Sequence, residues 1–168
     1  MSAAPRRPTS VLLVDDDPVF RELLAFVVRT DGRAEIVAQA RDGAEGLELA
    51  GELRPDVVVM DLRMPRMDGF EATRRIAARV HGTRVLVVSS SSEREDVDRA
   101  LEAGAAGFVP KDRAVAELPE ALEQLRPAKH RGRRRWEARP LRLAAVVQRL
   151  AELVGRFVLR EPALQHDA

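Results

Sequence analysis

The 168-residue sequence contains no cysteine. That absence excludes a disulfide-stabilised scaffold, a thiolate metal site and a cysteine nucleophile. It also removes any reason to place the chain in an oxidising compartment. We therefore expect a cytoplasmic protein.

Long hydrophobic runs are also missing. No apolar stretch approaches the ~20 residues that a membrane-spanning helix needs. The first ten residues, MSAAPRRPTS, lack the apolar core of a secretion signal. Neither membrane anchoring nor export is expected. Apolar side chains nevertheless make up 45% of the chain, which is the composition of an ordinary globular domain.

The net charge of +1 hides an uneven distribution along the chain. Residues 1–125 carry 17 basic and 23 acidic side chains, whereas residues 126–168 carry 11 basic and 4 acidic ones. The segment RPAKHRGRRRWEAR at 126–139 has no apolar period and is typical of a linker. The expected organisation is a disordered N-terminus at 1–9, a folded domain at 10–126, a basic linker at 127–139, an amphipathic helix at 140–160 and a flexible C-terminus at 161–168.

Short apolar runs alternate with stretches of helical periodicity through the first 125 residues. The runs VLLV, VVVM and VLVV contain no polar residue, which is typical of parallel strands buried on both faces. The run AEIVA alternates polar and apolar residues and is expected at an edge of the sheet. Five strand and helix units predict an α/β fold with a parallel sheet and helices on both faces. The predicted strands are Val11–Val14, Ala34–Ala38, Val57–Met60, Val85–Val88 and Gly107–Val109.

Residues with special backbone preferences indicate where the helices begin and end. Asp17-Pro18 predicts an N-cap with proline at the first helical position, and Ser92-x-x-Glu95 predicts a capping box. Gly104 is expected to end the helix that follows that box. Asp42-Gly43 is typical of a turn. Pro119 is compatible with a fifth helix only within its first turn.

Polar residues follow four of the predicted strands at their carboxyl ends. They are Asp15 and Asp16, Asp61, Ser89 and Lys111. Ligands of such sheets bind beyond the carboxyl ends of the strands. Three neighbouring carboxylates repel one another, so protons or a cation must neutralise them. Mg²⁺ suits a site of few carboxylates and phosphoryl oxygens, and Asp61 is then a candidate nucleophile that forms an aspartyl-phosphate.

Four motifs at these strand ends resemble one protein family. They are VLLVDDDP at 11–18, VVVMDLRMPRMDG at 57–69, VLVVSS at 85–90 and GAAGFVPK at 104–111. Their order and spacing resemble the receiver domain of bacterial two-component response regulators, over about residues 9–126. The resemblance implies a flavodoxin-like receiver fold, a five-stranded parallel sheet of order 2-1-3-4-5 with helices on both faces. One extra C-terminal helix is expected to follow it.

The resemblance also implies roles for individual residues. Asp61 matches the phosphorylated aspartate, and Lys111 matches the lysine that pairs with its phosphoryl group. Ser89 matches the hydroxyl that senses this group, and Phe108 matches the aromatic switch that rotates with it. The matching Mg²⁺ ligands are Asp15, Asp16, Asp61 and the backbone carbonyl of Arg63.

The loop around Lys111 departs from the family's usual pattern. The family often has a proline after this lysine, in a cis bond, whereas here Asp112 follows it and Pro110 precedes it. No cis peptide bond is therefore expected after Lys111. Two simpler interpretations stay open beside the functional ones. Phe108 is then an ordinary core residue, and Asp17 is an N-cap rather than a further metal ligand.

The C-terminal segment 140–160 predicts an amphipathic helix with an apolar seam of 3-4 spacing. This seam docks either on its own receiver or on that of a second copy, and we favour the second, which gives a homodimer. The basic run KHRGRRRW could contact nucleic acid, but a solvated spacer is favoured because no folded reading element accompanies it. The seam residues are Leu143, Val146, Leu150, Leu153 and Phe157.

The sequence therefore predicts a response regulator that is phosphorylated on Asp61 with Mg²⁺ as cofactor. Its expected partners are a histidine kinase or phosphotransfer protein and a downstream protein target, reached by protein contact. A DNA-binding regulator acting through the basic tail is the alternative. No turnover of an external substrate is expected, because phosphatases with an aspartate nucleophile usually carry a second aspartate two residues further on, where this chain has Arg63.

Overall fold

The computed structural model describes residues 7–126, in which strands and helices alternate. The predictions for residues 127–168, which include the linker, the amphipathic helix and its seam, lie outside the described residues. The strands are β1 Thr9–Val14, β2 Ala34–Ala40, β3 Val57–Met60, β4 Arg84–Ser89 and β5 Gly107–Pro110. The helices are α1 Pro18–Asp31, α2 Gly43–Leu53, α3 Gly69–Arg79, α4 Arg94–Glu102 and α5 Ala114–Gln124, with a 3-10 turn at Lys111–Arg113.

The five strands form one parallel sheet of order β2-β1-β3-β4-β5. This order and the five strand positions confirm the predicted fold, and β2 lies at an edge as its alternating pattern predicted. The ladder continues past β1 and β3, since Asp15 N donates to Ala40 O at 3.1 Å and Asp61 N donates to Val14 O at 2.9 Å. The backbone of both aspartates is therefore fixed by the sheet.

Apolar side chains of the central strands alternate between two cores, one on each face of the sheet. Val11, Leu13, Val57 and Val59 pack with α1 and α5, while side chains such as Leu12 pack with α2, α3 and α4. Burial on both faces explains the unbroken apolar runs VLLV, VVVM and VLVV within these strands. No helix of the described part is long and apolar enough to cross a membrane.

The N-terminal boundary of the fold differs from the predicted one. The segment 1–9 was expected to be disordered, but β1 begins at Thr9, whose N–H donates to Arg33 O at 3.0 Å. Arg7 precedes it and pairs with Asp56 at 3.0 Å. Asp56 also accepts from the backbone and the hydroxyl of Ser10, both at 2.9 Å. This contact between distant segments has no signal in the local sequence.

Helix boundaries are predicted correctly only in part. Asp17 is the N-cap of α1, and its side chain accepts from the N–H groups of Val19 and Phe20. The capping box at Ser92 and Glu95 is wrong, because α4 begins at Arg94 after an N-cap residue, Glu93, that makes no side-chain capping bond. Gly104 follows the C-cap of α4 with φ +102°, which agrees with its predicted role as a terminator.

Two further local predictions are corrected by the structure. Asp42 is the N-cap of α2 rather than part of a free turn, since its carboxylate accepts from Ala44 N and Glu45 N. Pro119 lies in the interior of α5 and not in its first turn. The Pro119 ring is buried in the fold. Proline has no backbone N–H, so α5 lacks one helical hydrogen bond at this position.

Candidate functional site

The predicted site residues lie at the carboxyl edge of the sheet. Asp15 and Asp16 follow β1, Asp61 follows the neighbouring β3, and Lys111 follows β5. Ligand oxygens of the three aspartates lie within 4.8 Å of one another. Asp15 and Asp61 are buried, with 2% and 5% exposure, while Asp16 is exposed. The structure therefore brings together the three carboxylates that the sequence placed at one edge.

Lys111 bridges two of these carboxylates. Its Nζ lies 2.7 Å from Asp15 Oδ2 and 3.0 Å from Asp61 Oδ2. The carboxylates were expected to need a cation, and part of the compensating charge comes from this ammonium. Lys111 Nζ also lies 4.5 Å from the centroid of the Phe20 ring.

Burial and charge act against each other within this cluster. Burial raises the pKa of Asp15, as does the nearby charge of Asp61, and the hydrogen bond from Lys111 only partly offsets this rise. Burial favours the neutral form of Lys111, but its two carboxylate partners outweigh burial and raise its pKa. The charged form of Lys111 is therefore held in place, whereas an ionised Asp15 is electrostatically costly.

The donor set fits a hard divalent cation. Three carboxylates from two adjacent strand ends offer oxygen ligands, and one of them, Asp16, is open to solvent. Oxygen ligands with room for retained waters are the environment that Mg²⁺ prefers. A net negative cluster that Lys111 compensates only in part also attracts a cation.

Arg63, in the loop after β3, contacts both the Asp61 carboxylate and helix α4. Arg63 N lies 3.4 Å from Asp61 Oδ1, and the Arg63 guanidinium donates to Asp96 Oδ2 of α4 at 3.0 Å. Hydrogen bonding from Ser91 lowers the pKa of Asp96 despite its burial, with help from Arg63. The side chain at position 63 is thus engaged with α4. The role of the Arg63 carbonyl as a ligand stays a prediction.

The two predicted switch residues lie on β4 and β5. Ser89 is fully buried, and its Oγ accepts from Ser91 N at 3.3 Å. Phe108 is half-buried and packs against the core on the α2, α3 and α4 face. The switching roles of both residues and the simpler core interpretation of Phe108 stay predictions. The described residues contain no cis peptide bond, as expected after Lys111.

Gly69 is a structural requirement of the site that the sequence reasoning missed. A Cβ at this position would lie 1.9 Å from Asp61 O and 2.7 Å from Leu62 Cα. Gly69 N donates to Leu62 O at 2.9 Å, so the first turn of α3 lies directly on the backbone of the Asp61 loop. The glycine that ends the motif at 57–69 was the available signal.

Two contacts hold the remainder of this loop against α2. Arg66, with φ +68°, pairs with the buried Asp42. Gly43 packs so closely that an added Cβ would lie 2.6 Å from Met67 O. Hydrogen bonds from the α2 backbone, together with the charge of Arg66, lower the pKa of Asp42 against the effect of burial. Asp42 therefore stabilises both the start of α2 and the loop that follows Asp61.

Arg21 of α1 fixes the other acidic loop. Its Nη1 donates to the backbone carbonyl of Asp15 at 2.5 Å, and its Nε donates to Gln39 Oε1 of β2 at 3.0 Å. Asp17 N in turn donates to Asp15 Oδ1 at 2.8 Å. No local pattern announces the Arg21 contact, because it joins three separate elements.

Comparisons with known proteins agree with this architecture. The family described as "Response regulator receiver domain" matches residues 11–123. The transcriptional regulatory protein LiaR of Bacillus subtilis is 38% identical over 112 residues, which are 67% of this chain and 53% of LiaR. A protein-glutamate methylesterase/protein-glutamine glutaminase of Myxococcus xanthus is 49% identical over 106 residues, 62% of this chain and 30% of that protein.

A solved structure gives the same answer. The response regulator domain of Thermotoga maritima CheB superposes with a TM-score of 0.67 and 34% sequence identity, over 71% of this chain and 96% of that one. The chain spans between about a third and about a half of the length of the first curated relatives that it matches. The family match covers well over half of the sequence and includes all five strands predicted from the sequence. The chain therefore belongs to the response regulator receiver domain family.

Proposed function

We propose that this receiver domain accepts a phosphoryl group on Asp61 in the presence of Mg²⁺ and transmits the change by protein contact. One observation carries the proposal. Asp61 is a buried carboxylate that lies beside an acidic pair and 3.0 Å from the Lys111 ammonium, which also contacts Asp15. A buried nucleophile beside both a metal-binding set and a fixed positive charge is suited to phosphoryl transfer.

In the transfer, an oxygen of Asp61 attacks the phosphorus of a donor. The new bond joins that oxygen to phosphorus, and the bond between phosphorus and the donor's leaving atom breaks. Asp61 Oδ2 is bound by Lys111, whereas Oδ1 has only a long contact of 3.4 Å to Arg63 N and is the freer oxygen for attack. When bound, Mg²⁺ supplies charge neutralisation for the phosphoryl oxygens.

The other residues at the site then stabilise the product. Lys111 Nζ exchanges its contact with Asp61 for one with a phosphoryl oxygen, and Asp15 and Asp16 hold the metal ion together with Asp61 and the Arg63 carbonyl. The Ser89 hydroxyl turns to donate to a phosphoryl oxygen. Phe108, on the next strand, follows this movement and alters the surface near α4.

The partners follow from this chemistry. A histidine kinase or a phosphotransfer protein supplies the phosphoryl group, and a downstream protein target reads the altered surface, all in the cytoplasm. We expect no turnover of an external substrate. Arg63, which occupies the place of a phosphatase acid, is engaged with Asp96 and provides no acid or base beside Asp61.

Two adjacent aspartates provide a matched test. Asp16 belongs to the carboxylate cluster, whereas its neighbour Asp17 caps α1. Both are exposed, and asparagine preserves an N-cap. With a small phosphodonor and Mg²⁺, Asp16→Asn is expected to lose Mg²⁺-dependent phosphorylation, and Asp17→Asn is expected to keep the wild-type rate. Intact mass spectrometry measures the incorporated phosphoryl group.

The opposite pattern contradicts the proposal. If Asp16→Asn is phosphorylated at the wild-type rate, the acidic cluster does not hold the required metal ion. If the wild-type chain incorporates no phosphoryl group from any donor, the receiver function itself is wrong for this protein.

A further inference from the structure

The first turn of α1 contacts the site through an aromatic ring. Phe20 lies in this turn, and its backbone N–H is held at 3.2 Å by the capping carboxylate of Asp17. Its ring centroid lies 4.5 Å from Lys111 Nζ. The ring also packs against the core formed by α1, α5 and one face of the sheet. Phe20 therefore has a fixed backbone, contacts with the core and a ring face directed at a cation.

We propose that Phe20 is a positioning residue that holds the Lys111 ammonium between Asp15 and Asp61. Three elements then define the place of Nζ. They are the loop after β1 at 2.7 Å, the loop after β3 at 3.0 Å and the ring from α1 at 4.5 Å. The face of an aromatic ring carries partial negative charge and attracts an ammonium without adding a further acid to the cluster.

A lysine needs such a support more than an arginine does. Its side chain has four flexible methylene groups and ends in a compact charge without a fixed plane. The Lys111 side chain keeps 19% exposure, so solvent competes with the carboxylates for the ammonium. The Phe20 ring covers one side of Nζ, while the carboxylates of Asp15 and Asp61 contact it from others.

The effect of Phe20 on phosphorylation rests on the proposed function. On phosphorylation Lys111 loses a carboxylate oxygen of Asp61 and gains a phosphoryl oxygen. Asp15 remains in place because Arg21 binds its backbone carbonyl at 2.5 Å. The contact with Phe20 involves no atom that reacts. It therefore keeps Nζ at the site while its oxygen partners change.

The contact itself is measured by NMR on the full chain. The sequence contains only two lysines, Lys111 and Lys129. Lysine labelled with ¹³C at Cε thus gives two sets of signals, and a Lys129→Arg variant assigns those of Lys111. A ring face above Nζ shifts the Lys111 ε-proton signals upfield. That shift is expected in the wild type, lost in Phe20→Leu and retained in Phe20→Tyr.

The matched control lies on the same helix. Phe26 is also half-buried in α1, six residues further along the helix, and Phe26→Leu makes the same chemical change there. It is expected to leave the Lys111 signals unchanged. Thermal unfolding of both leucine variants separates loss of packing from loss of the cation contact.

The functional readout is the maximal phosphorylation rate at saturating phosphodonor and Mg²⁺. Phe20→Leu is expected to lower it about fivefold, which is the effect of a cation–π contact of about 1 kcal/mol at 1.36 kcal/mol per tenfold. Phe20→Tyr should restore the rate, and Phe26→Leu should retain it, with the half-saturating donor concentration unchanged in all three.

The outcomes separate this inference from the receiver function. An unchanged rate in Phe20→Leu, or Lys111 ε signals that do not respond to loss of the ring, overturns the role of Phe20 while Asp61 phosphorylation stands. If Phe26→Leu slows phosphorylation as much as Phe20→Leu does, the effect is one of helix packing and the proposal is wrong. A wild-type chain that takes no phosphoryl group refutes the receiver function, whereas the NMR shift still tests the contact.

Discussion

Replacing Gly69 by alanine is expected to damage both stability and phosphorylation. The added Cβ would lie 1.9 Å from Asp61 O and 2.8 Å from Asp61 C. Both contacts are with backbone, so either α3 or the Asp61 peptide must move by about 1 Å to relieve them. Such overpacking costs about 1–3 kcal/mol of the free energy of unfolding. At about 4 °C per kcal/mol for a domain of this size, Tm should fall by about 4–12 °C.

The same displacement moves the Asp61 carboxylate relative to Lys111 and the acidic pair. A misplacement of about 1 Å can cost about 100-fold in rate, so the variant should be phosphorylated far more slowly by a small donor, even well below its Tm. Gly51→Ala is the matched control. Gly51 lies within α2, and nothing lies within 4 Å of its added Cβ. Alanine there should raise stability by about 0.5–1 kcal/mol and leave the rate unchanged.

Thermal unfolding and intact mass spectrometry of the two alanine variants decide the matter. A wild-type Tm and phosphorylation rate in Gly69→Ala would refute the close approach of α3 to the Asp61 loop. A loss of rate in Gly51→Ala equal to that in Gly69→Ala would refute the reasoning from local contacts.

Three further changes test the charges around the site. Asp42→Ala should lower the free energy of unfolding by about 1–2 kcal/mol in a denaturant titration at pH 7, since the N-cap of α2 is lost. The pKa of Asp42 is lower in the folded protein than its ordinary value of 3.8. The difference in stability between variant and wild type should therefore shrink as the pH falls from 3.8 through the lowered pKa. Asp15→Asn should raise Tm at pH 7 without Mg²⁺, because the pKa of Asp15 is raised in the folded protein and its ionisation costs stability as the pH rises above 3.8. Calorimetric titration of the same variant should find weaker Mg²⁺ binding. A lower Tm would contradict the account. Lys111→Gln should strengthen Mg²⁺ binding by about 30-fold at low salt, because one positive charge about 4 Å from a divalent cation costs about 2 kcal/mol in water. Unchanged binding would mean that Lys111 and the metal ion do not share these carboxylates.

The sequence predicts those features of this receiver that depend on the periodicity of apolar residues and on the shared direction of parallel strands. Val57–Met60 contains no polar residue because both of its faces are buried, so the first polar residue after it, Asp61, falls at the sheet edge. The same logic placed Asp15 and Lys111 at that edge. Parallel strands end together, so a pattern along the chain becomes a cluster in space.

Contacts between distant segments could not be read from local patterns. The ring of Phe20 follows an ordinary apolar helical period, and nothing in that period distinguishes a core residue from one that also faces Lys111. Arg21 is likewise an ordinary polar residue of α1 until β1 and β2 are placed beside it.

One local capping prediction failed at a helix whose first turn makes other contacts. The serines after β4 matched a capping box at Ser92, but Asp96 is hydrogen-bonded by Ser91 and paired with Arg63. Those contacts hold the start of α4 against the loop that follows Asp61. The wrong prediction therefore falls beside the site, where Ser91 and Asp96 contact each other and the Asp61 loop instead of capping α4.

Chemical location of the phosphoryl group tests the central claim most directly. The chain is incubated with a small phosphodonor and Mg²⁺, treated with borohydride to reduce any acyl phosphate to an alcohol, and digested for peptide mass spectrometry. We predict one reduced aspartate, at Asp61, that is absent without Mg²⁺ and in Asp61→Asn. A phosphoryl group found on another residue, such as Ser89, or one that persists in Asp61→Asn, would contradict the account.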